Sequence, residues 1–215
     1  MNPTEFSDAL IEAYRNARES KYPHTKIRRG GNHSVASEIE DLLAFYLAGT
    51  LRVDEIWVNQ QLSISTKSGD KMAIKPDLAI IHGGVVRAFV EIKMDIGFAR
   101  KEIGDYFSGI SQRVRKVRGR RASYRDRKSP RAGNLEIEIC GNAECVFVIV
   151  SGRNASKTEY EKIEGFARKN KVHLHTLLRD IHPNDAALEN LDRKCAEKMT
   201  ESLRQLQKSI GTMLG

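Results

Sequence analysis

Residues Lys75–Lys93 read KPDLAIIHGGVVRAFVEIK, and the rest of the chain is organised around them. Two apolar runs, Leu78–Ile81 and Val85–Val90, flank His82-Gly83-Gly84. Short runs rich in β-branched residues around a glycine pair predict a β-hairpin. Asp77 opens the first arm, and Glu91 and Lys93 close the second. Side chains alternate along a strand, so Glu91 and Lys93 share a face. Charges beside an apolar sheet are unfavourable unless they pair with one another or hold a metal ion.

Strand register adds a constraint. If Gly83-Gly84 alone made an ideal turn, His82 would face Val85 and Asp77 would face Val90. Asp77 would then lie on the opposite side of the sheet from Glu91 and Lys93. Bringing all three together requires one extra residue of offset. A three-residue loop (His82–Gly84 or Gly83–Val85), a β-bulge, or a bend near Pro76 would supply it.

Upstream, Thr4–Glu19 is predicted as a helix opened by Pro3 or Thr4, with Phe6, Leu10, Ile11, Tyr14 and Ala17 on one stripe. Residues Lys21–His33 read as a polar, basic loop. A second helix, capped by Ser34 and stopped near Gly49, buries Val35, Ile39, Leu42, Leu43, Tyr46 and Leu47. Glu38 and Glu40 lie on opposite flanks of that stripe, and periodicity does not choose between them. Glu55–Ser65 alternates as a half-buried strand, Ser68-Gly69-Asp70 is a turn, and a strand over Met72–His82 completes a three-stranded meander with Val85–Lys93.

Downstream, Asp95 to about Val117 has helical period. Arg113–Arg131 holds ten Lys or Arg against one acid, Asp126, and reads as a weakly structured basic segment expected to be mobile without a polyanion. Cys145–Val150 is a strand buried on both faces. A helix starting at Ser156 or Lys157 and running to Lys169 precedes a strand over Val172–Leu178, where His173 and His175 share a face with no third ligand near. Asn184 or Asp185 opens a terminal helix to about Met213. Its stripe (Leu188, Leu191, Cys195, Met199, Leu203, Leu206, Ile210, Met213) could cover the body or a second subunit.

The chain has 215 residues and a net charge of +8, which together point to one domain with a polyanionic partner. No apolar run is long enough to span a bilayer, and the N-terminus lacks a secretory pattern. Three cysteines form neither a disulfide framework nor a paired zinc pattern, as expected in a reduced, cytoplasmic compartment. There is no helicase motif, Gly-rich phosphate loop or methyltransferase motif.

Pro76-Asp77, thirteen intervening residues and Glu91-Ile92-Lys93 resemble the signature of the PD-(D/E)XK nuclease superfamily. The order helix, three strands, helix, strand over Ser34–Val150 is similar to that family's core. The resemblance implies an α/β fold with a restriction-endonuclease-like αβββαβ core (about residues 34–178), a mixed sheet flanked by helices, and extra N- and C-terminal helices. It implies a Mg²⁺-dependent DNA endonuclease, with Mn²⁺ able to substitute. A type II-like restriction enzyme acting as a homodimer is the first expectation. A structure-specific resolvase or repair nuclease, or a non-catalytic nucleic-acid-binding module, is the alternative. Asp77, Glu91 and the Ile92 carbonyl would bind the metal, and Lys93 would act on the attacking water or the phosphate. The family often adds a helix carboxylate, and Ser-x-x-x-Glu near the helix start matches Glu38, with Glu40 in reserve. Lys75, Arg113, Arg115, Lys116, Arg118, Arg120, Arg121 and Arg125 would contact the DNA backbone.

Overall fold

The computed structural model describes residues 1–17, 34–65, 71–96, 102–126, 133–183, 185 and 192–215. The fold is α/β: a mixed, mostly antiparallel sheet flanked by helices on both faces, with additional helices at the two ends. The predicted Lys21–His33 loop, the Ser68–Asp70 turn, Leu188 and Leu191 lie outside the described residues. No helix among the described residues is long and apolar enough to cross a membrane.

Helix α1 spans Pro3–Asn16, slightly shorter than its periodicity predicts. Its cap is Asn2, which accepts from the Thr4 and Glu5 amides while Glu5 accepts from the Asn2 amide. This reciprocal box satisfies backbone donors that the first turn otherwise leaves unpaired. Helix α2 spans Ala36–Thr50 without a side-chain cap at Val35. The Ser34 hydroxyl, expected as the cap, makes only a long 3.4 Å bond to the Ala36 amide.

The meander takes an unexpected form. The segment 55–65 comprises β1 (Glu55–Val58) and β2 (Leu62–Ser65), and the segment 71–82 comprises β3 (Lys71–Ile74) and β4 (Leu78–His82). Register is nonetheless continuous, since Val58 pairs Leu78 and Leu62 pairs Ile74. The two arms form one long hairpin, bent where residues 59–61 oppose residues 75–77. Asn59 takes the left-handed conformation there (φ 52°), which Asn tolerates better than most residues. Pro76, opposite the neighbouring Gln60, lacks the amide for a regular ladder. The inward face changes parity across the bend: Ala79 and Ile81 face the same core as Leu62, Ile64 and Ile74. Beyond the bend, β2 crosses to pair with β6 (Arg121–Arg125).

Strand β5 (Val85–Asp95) sits between β4, antiparallel, and β7 (Asn134–Ser151), parallel. Helix α3 (Ile103–Val117) makes the crossover. It starts later than expected because β5 runs on to Asp95. The basic segment is more ordered than its composition suggests. Residues up to Val117 belong to α3, and Arg121–Arg125 is a strand paired with the first part of β7. Residues 127–132 lie outside the described set. Helix α4 (Lys157–Asn170) opens on a Ser156–Glu159 capping box, and β8 (Val172–Leu178) lies parallel to β7.

Each face of the sheet has its own apolar core. On one side α1, α2 and the terminal helix α5 (Asp192–Leu214) pack Leu10, Leu43, Leu47 and Leu203 against Val90, Ile92 and Val148. On the other, α3 and α4 pack Phe107, Val114 and Ile163 against Phe89 and Phe147. The α5 stripe that sequence left open between body and partner is buried within the chain: Cys195, Met199, Leu203, Leu206 and Ile210 are fully covered. Leu203→Ala should lower the unfolding free energy by about 2–5 kcal/mol. The urea midpoint should fall by the matching amount at an unchanged m-value. An unchanged midpoint would show that the stripe is not packed against the body.

Candidate active site

The turn of the β4–β5 hairpin has two residues. His82 pairs with Val85, and Gly83 and Gly84 both adopt positive φ (63° and 71°), as a primed turn requires. The extra residue lies in β5. Ile81 pairs with Val86 but Ile80 with Ala88, so Arg87 bulges out of the ladder. The β5–β7 register shifts at the same point. Arg87 is held there by bonds from its guanidinium to the His82 carbonyl and to Cys140 Sγ.

Past the bulge, Leu78 opposes Val90, and Asp77 therefore stands opposite Glu91, on one face of the sheet. The Asp77 carboxylate accepts the Ile92 amide at 2.6 Å. An extended residue directs its amide and carbonyl to the same edge, so the Ile92 carbonyl is also turned towards Asp77. Lys93 follows on the Glu91 face, its ammonium 5.0 Å from the centre of the Tyr106 ring. Asp77, Glu91 and Lys93 are all half-buried.

Two site residues come from α3, and of these Tyr106 was missed by the sequence reading. The Tyr106 hydroxyl donates to Glu91 Oε2 at 3.0 Å, and its ring packs edge-on against Phe147. Arg113, one of the expected DNA contacts, acts electrostatically on Glu91. Tyr106 and Arg113 are seven residues apart and thus on one helix face. That spacing was visible, but the crossover that aims it at β5 was not. Burial, and after it the Asp77 charge, raise the Glu91 pKa to about 7 against the opposing effects of the Tyr106 bond, Lys93 and Arg113. Burial and Glu91 likewise raise the Tyr106 phenol.

Glu38 is exposed on α2. Glu40 is the buried α2 carboxylate, and it accepts from the Asn59 side chain. The Asn59 amide in turn donates to the Asp77 carbonyl at 2.9 Å. Glu40 is thus linked to the site through the hairpin bend. Among the described residues no three His, Cys, Asp or Glu side chains converge as a metal cluster. The oxygen donors at hand are the Asp77 and Glu91 carboxylates and the Ile92 carbonyl. These are hard ligands of the type Mg²⁺ takes, few in number as Mg²⁺ prefers. A carboxylate made basic by burial and by a neighbouring carboxylate gains from a cation, and in this respect the donor set fits one.

The expected phosphate contacts are dispersed. Lys75 is exposed at the bend, and Lys116 is exposed on α3. Arg115 bonds Ser111, Arg118 bonds the Ala143 carbonyl, and Arg121 lies 3.8 Å from Glu136. Arg120 is half-buried, and Arg125 is exposed beside Ser123. His173 pairs with Glu144, and burial lowers His175 to about 4.

The chain matches no family model, no curated protein and no solved structure.

Because the folded Glu91 value lies above that of the unfolded chain, the fold favours the protonated acid. That stabilisation is complete below about pH 4.5 and is lost as pH rises through about 7. Glu91→Gln keeps an acceptor for Tyr106 and removes the charge. It should be more stable than wild type by up to about 3 kcal/mol at pH 8 and no more stable near pH 4. Equal stability at both pH values, in paired urea titrations, would show that Glu91 ionises freely.

Proposed function

We propose that this protein is a Mg²⁺-dependent DNA endonuclease of the PD-(D/E)XK type, acting on duplex DNA as a restriction-like homodimer. The observation that carries the reading is the Arg87 bulge, which sets Asp77 opposite Glu91 and places both on the face of Lys93. A bulge re-aims side chains at the expense of regular pairing, and here it collects three charged groups that burial would otherwise disfavour. The element order from α2 through β7, with α3 as a parallel crossover, also supports this core.

Asp77, Glu91 and the Ile92 carbonyl would hold the ion, with Mn²⁺ as a substitute. When bound, it supplies Lewis-acid stabilisation of phosphate charge and a more acidic water. The chain's own residues do the rest. The Ile92 amide fixes the Asp77 carboxylate, and the Tyr106 hydroxyl fixes that of Glu91. Lys93 rests over the Tyr106 ring, poised to orient the attacking water or to neutralise charge on the phosphate. Arg113 adds positive charge beside the same carboxylate.

The test is nicking of supercoiled plasmid in Mg²⁺. Asp77→Ala, Glu91→Ala and Lys93→Ala should remain folded and lose about 100-fold or more in rate. Glu38→Ala should cut normally. Full cleavage by a folded Glu91→Ala protein would remove the mechanism.

A further inference from the structure

The bend that presents Asp77 also builds a cleft of about 680 Å³ on its other side, between β2, β3 and β6. Its floor is small and polar. Ser63 pairs directly with Ser123, whose hydroxyl donates to the Ser63 carbonyl, and Ser65 continues the same face. Lys71, opposite Ser65, and Lys75 give one wall positive charge, and Arg125 gives it to the other. Asp126 is the one acid among the lining residues. Two exposed amide side chains, Gln61 and Asn134, also line it, and neither has a hydrogen-bond partner among the described residues. Tyr124 lines one end, its ring tilted against that of Trp57 with centroids 4.4 Å apart. A second groove shares Gln60, Lys75 and Tyr124 and runs on towards Glu40.

We propose that this serine-floored cleft receives an edge of duplex DNA and reads base sequence through Gln61 and Asn134, with Lys71, Lys75 and Arg125 holding phosphates. An amide offers a donor and an acceptor side by side, the pattern that recognises adenine in the major groove. A β-ribbon fits that groove, and serine side chains let its backbone approach closely. The cations beside the amides match the division of labour in which phosphate contacts position and base contacts specify. Residues 59–61 oppose residues 75–77 in the bent hairpin, so the cleft and the Asp77 site are held in fixed register. Base reading here would therefore fix the distance to the cut.

The inference rests on the nuclease reading for its substrate but is tested without cleavage. Binding of a labelled duplex is measured in EDTA across a salt series, and preferred sequences are selected from a randomised duplex pool. Lys71→Ala with Arg125→Ala should reduce the slope of log affinity against log salt by about 1.8. Gln61→Ala with Asn134→Ala should leave the slope unchanged and erase base preference at one or two positions. An unchanged slope in the first variant, an unchanged preference in the second, or stronger binding to single strands than to duplex would overturn the proposal. A protein that shows the expected binding but never nicks plasmid would retain the cleft and lose the nuclease reading. A protein that nicks while both double variants bind like wild type would do the reverse.

Discussion

One unpaired residue sets the geometry of the centre. Strand side chains alternate strictly, so a slip of one residue moves a whole run to the other face. With Arg87 outside the ladder, β5 keeps a tight glycine turn at one end and still sets Glu91 across from Asp77 at the other. Val86 and Phe89 also come to face the same core, where strict alternation would separate them. The offset is thus built into the packing as well as into the pairing. Arg87 is fixed by the His82 carbonyl and Cys140, so the bulge is tied to both neighbouring strands.

The hairpin bend is the second constraint, and it works with the first. Pro76 and left-handed Asn59 turn the β1–β4 ladder into the β2–β3 ladder without changing register. Asp77 sits where the ladder bends, its carbonyl tied to Asn59 and its carboxylate to the Ile92 amide. An acid in that position is oriented by backbone donors while it remains half-exposed. Glu91, one strand over, is held by Tyr106 of α3. The two carboxylates therefore have different environments, and burial pushes the Glu91 pKa up to about 7.

Much of this was legible in local sequence. The Gly83-Gly84 hairpin, the need for one residue of offset, the helix starting at Ser156 or Lys157 and the buried strand at Cys145–Val150 all follow from short-range patterns. What was missed is mostly tertiary. Alternation over Glu55–Ser65 predicts one strand, and nothing in it marks Asn59 as a bend. The alternation of Leu135, Ile137 and Ile139 extends β7 backwards, but the basic run beside it drew attention to charge and hid the β6 pairing. Tyr106 lies on a helix whose period was read correctly, yet its contact with Glu91 depends on how α3 crosses the sheet. Glu38 and Glu40 are equivalent by helical period. The difference came from Asn59, which reaches Glu40 only because the hairpin bends beside α2.

The central claim is that Asp77 and Glu91 form one cation site because the Arg87 bulge sets them face to face. Manganese binding followed by electron paramagnetic resonance tests this without DNA and without turnover. Wild type should show a saturable Mn²⁺ site that is lost in Asp77→Asn and in Glu91→Gln and retained in Glu38→Gln. Undiminished Mn²⁺ binding by a folded Asp77→Asn, Glu91→Gln double variant would contradict it.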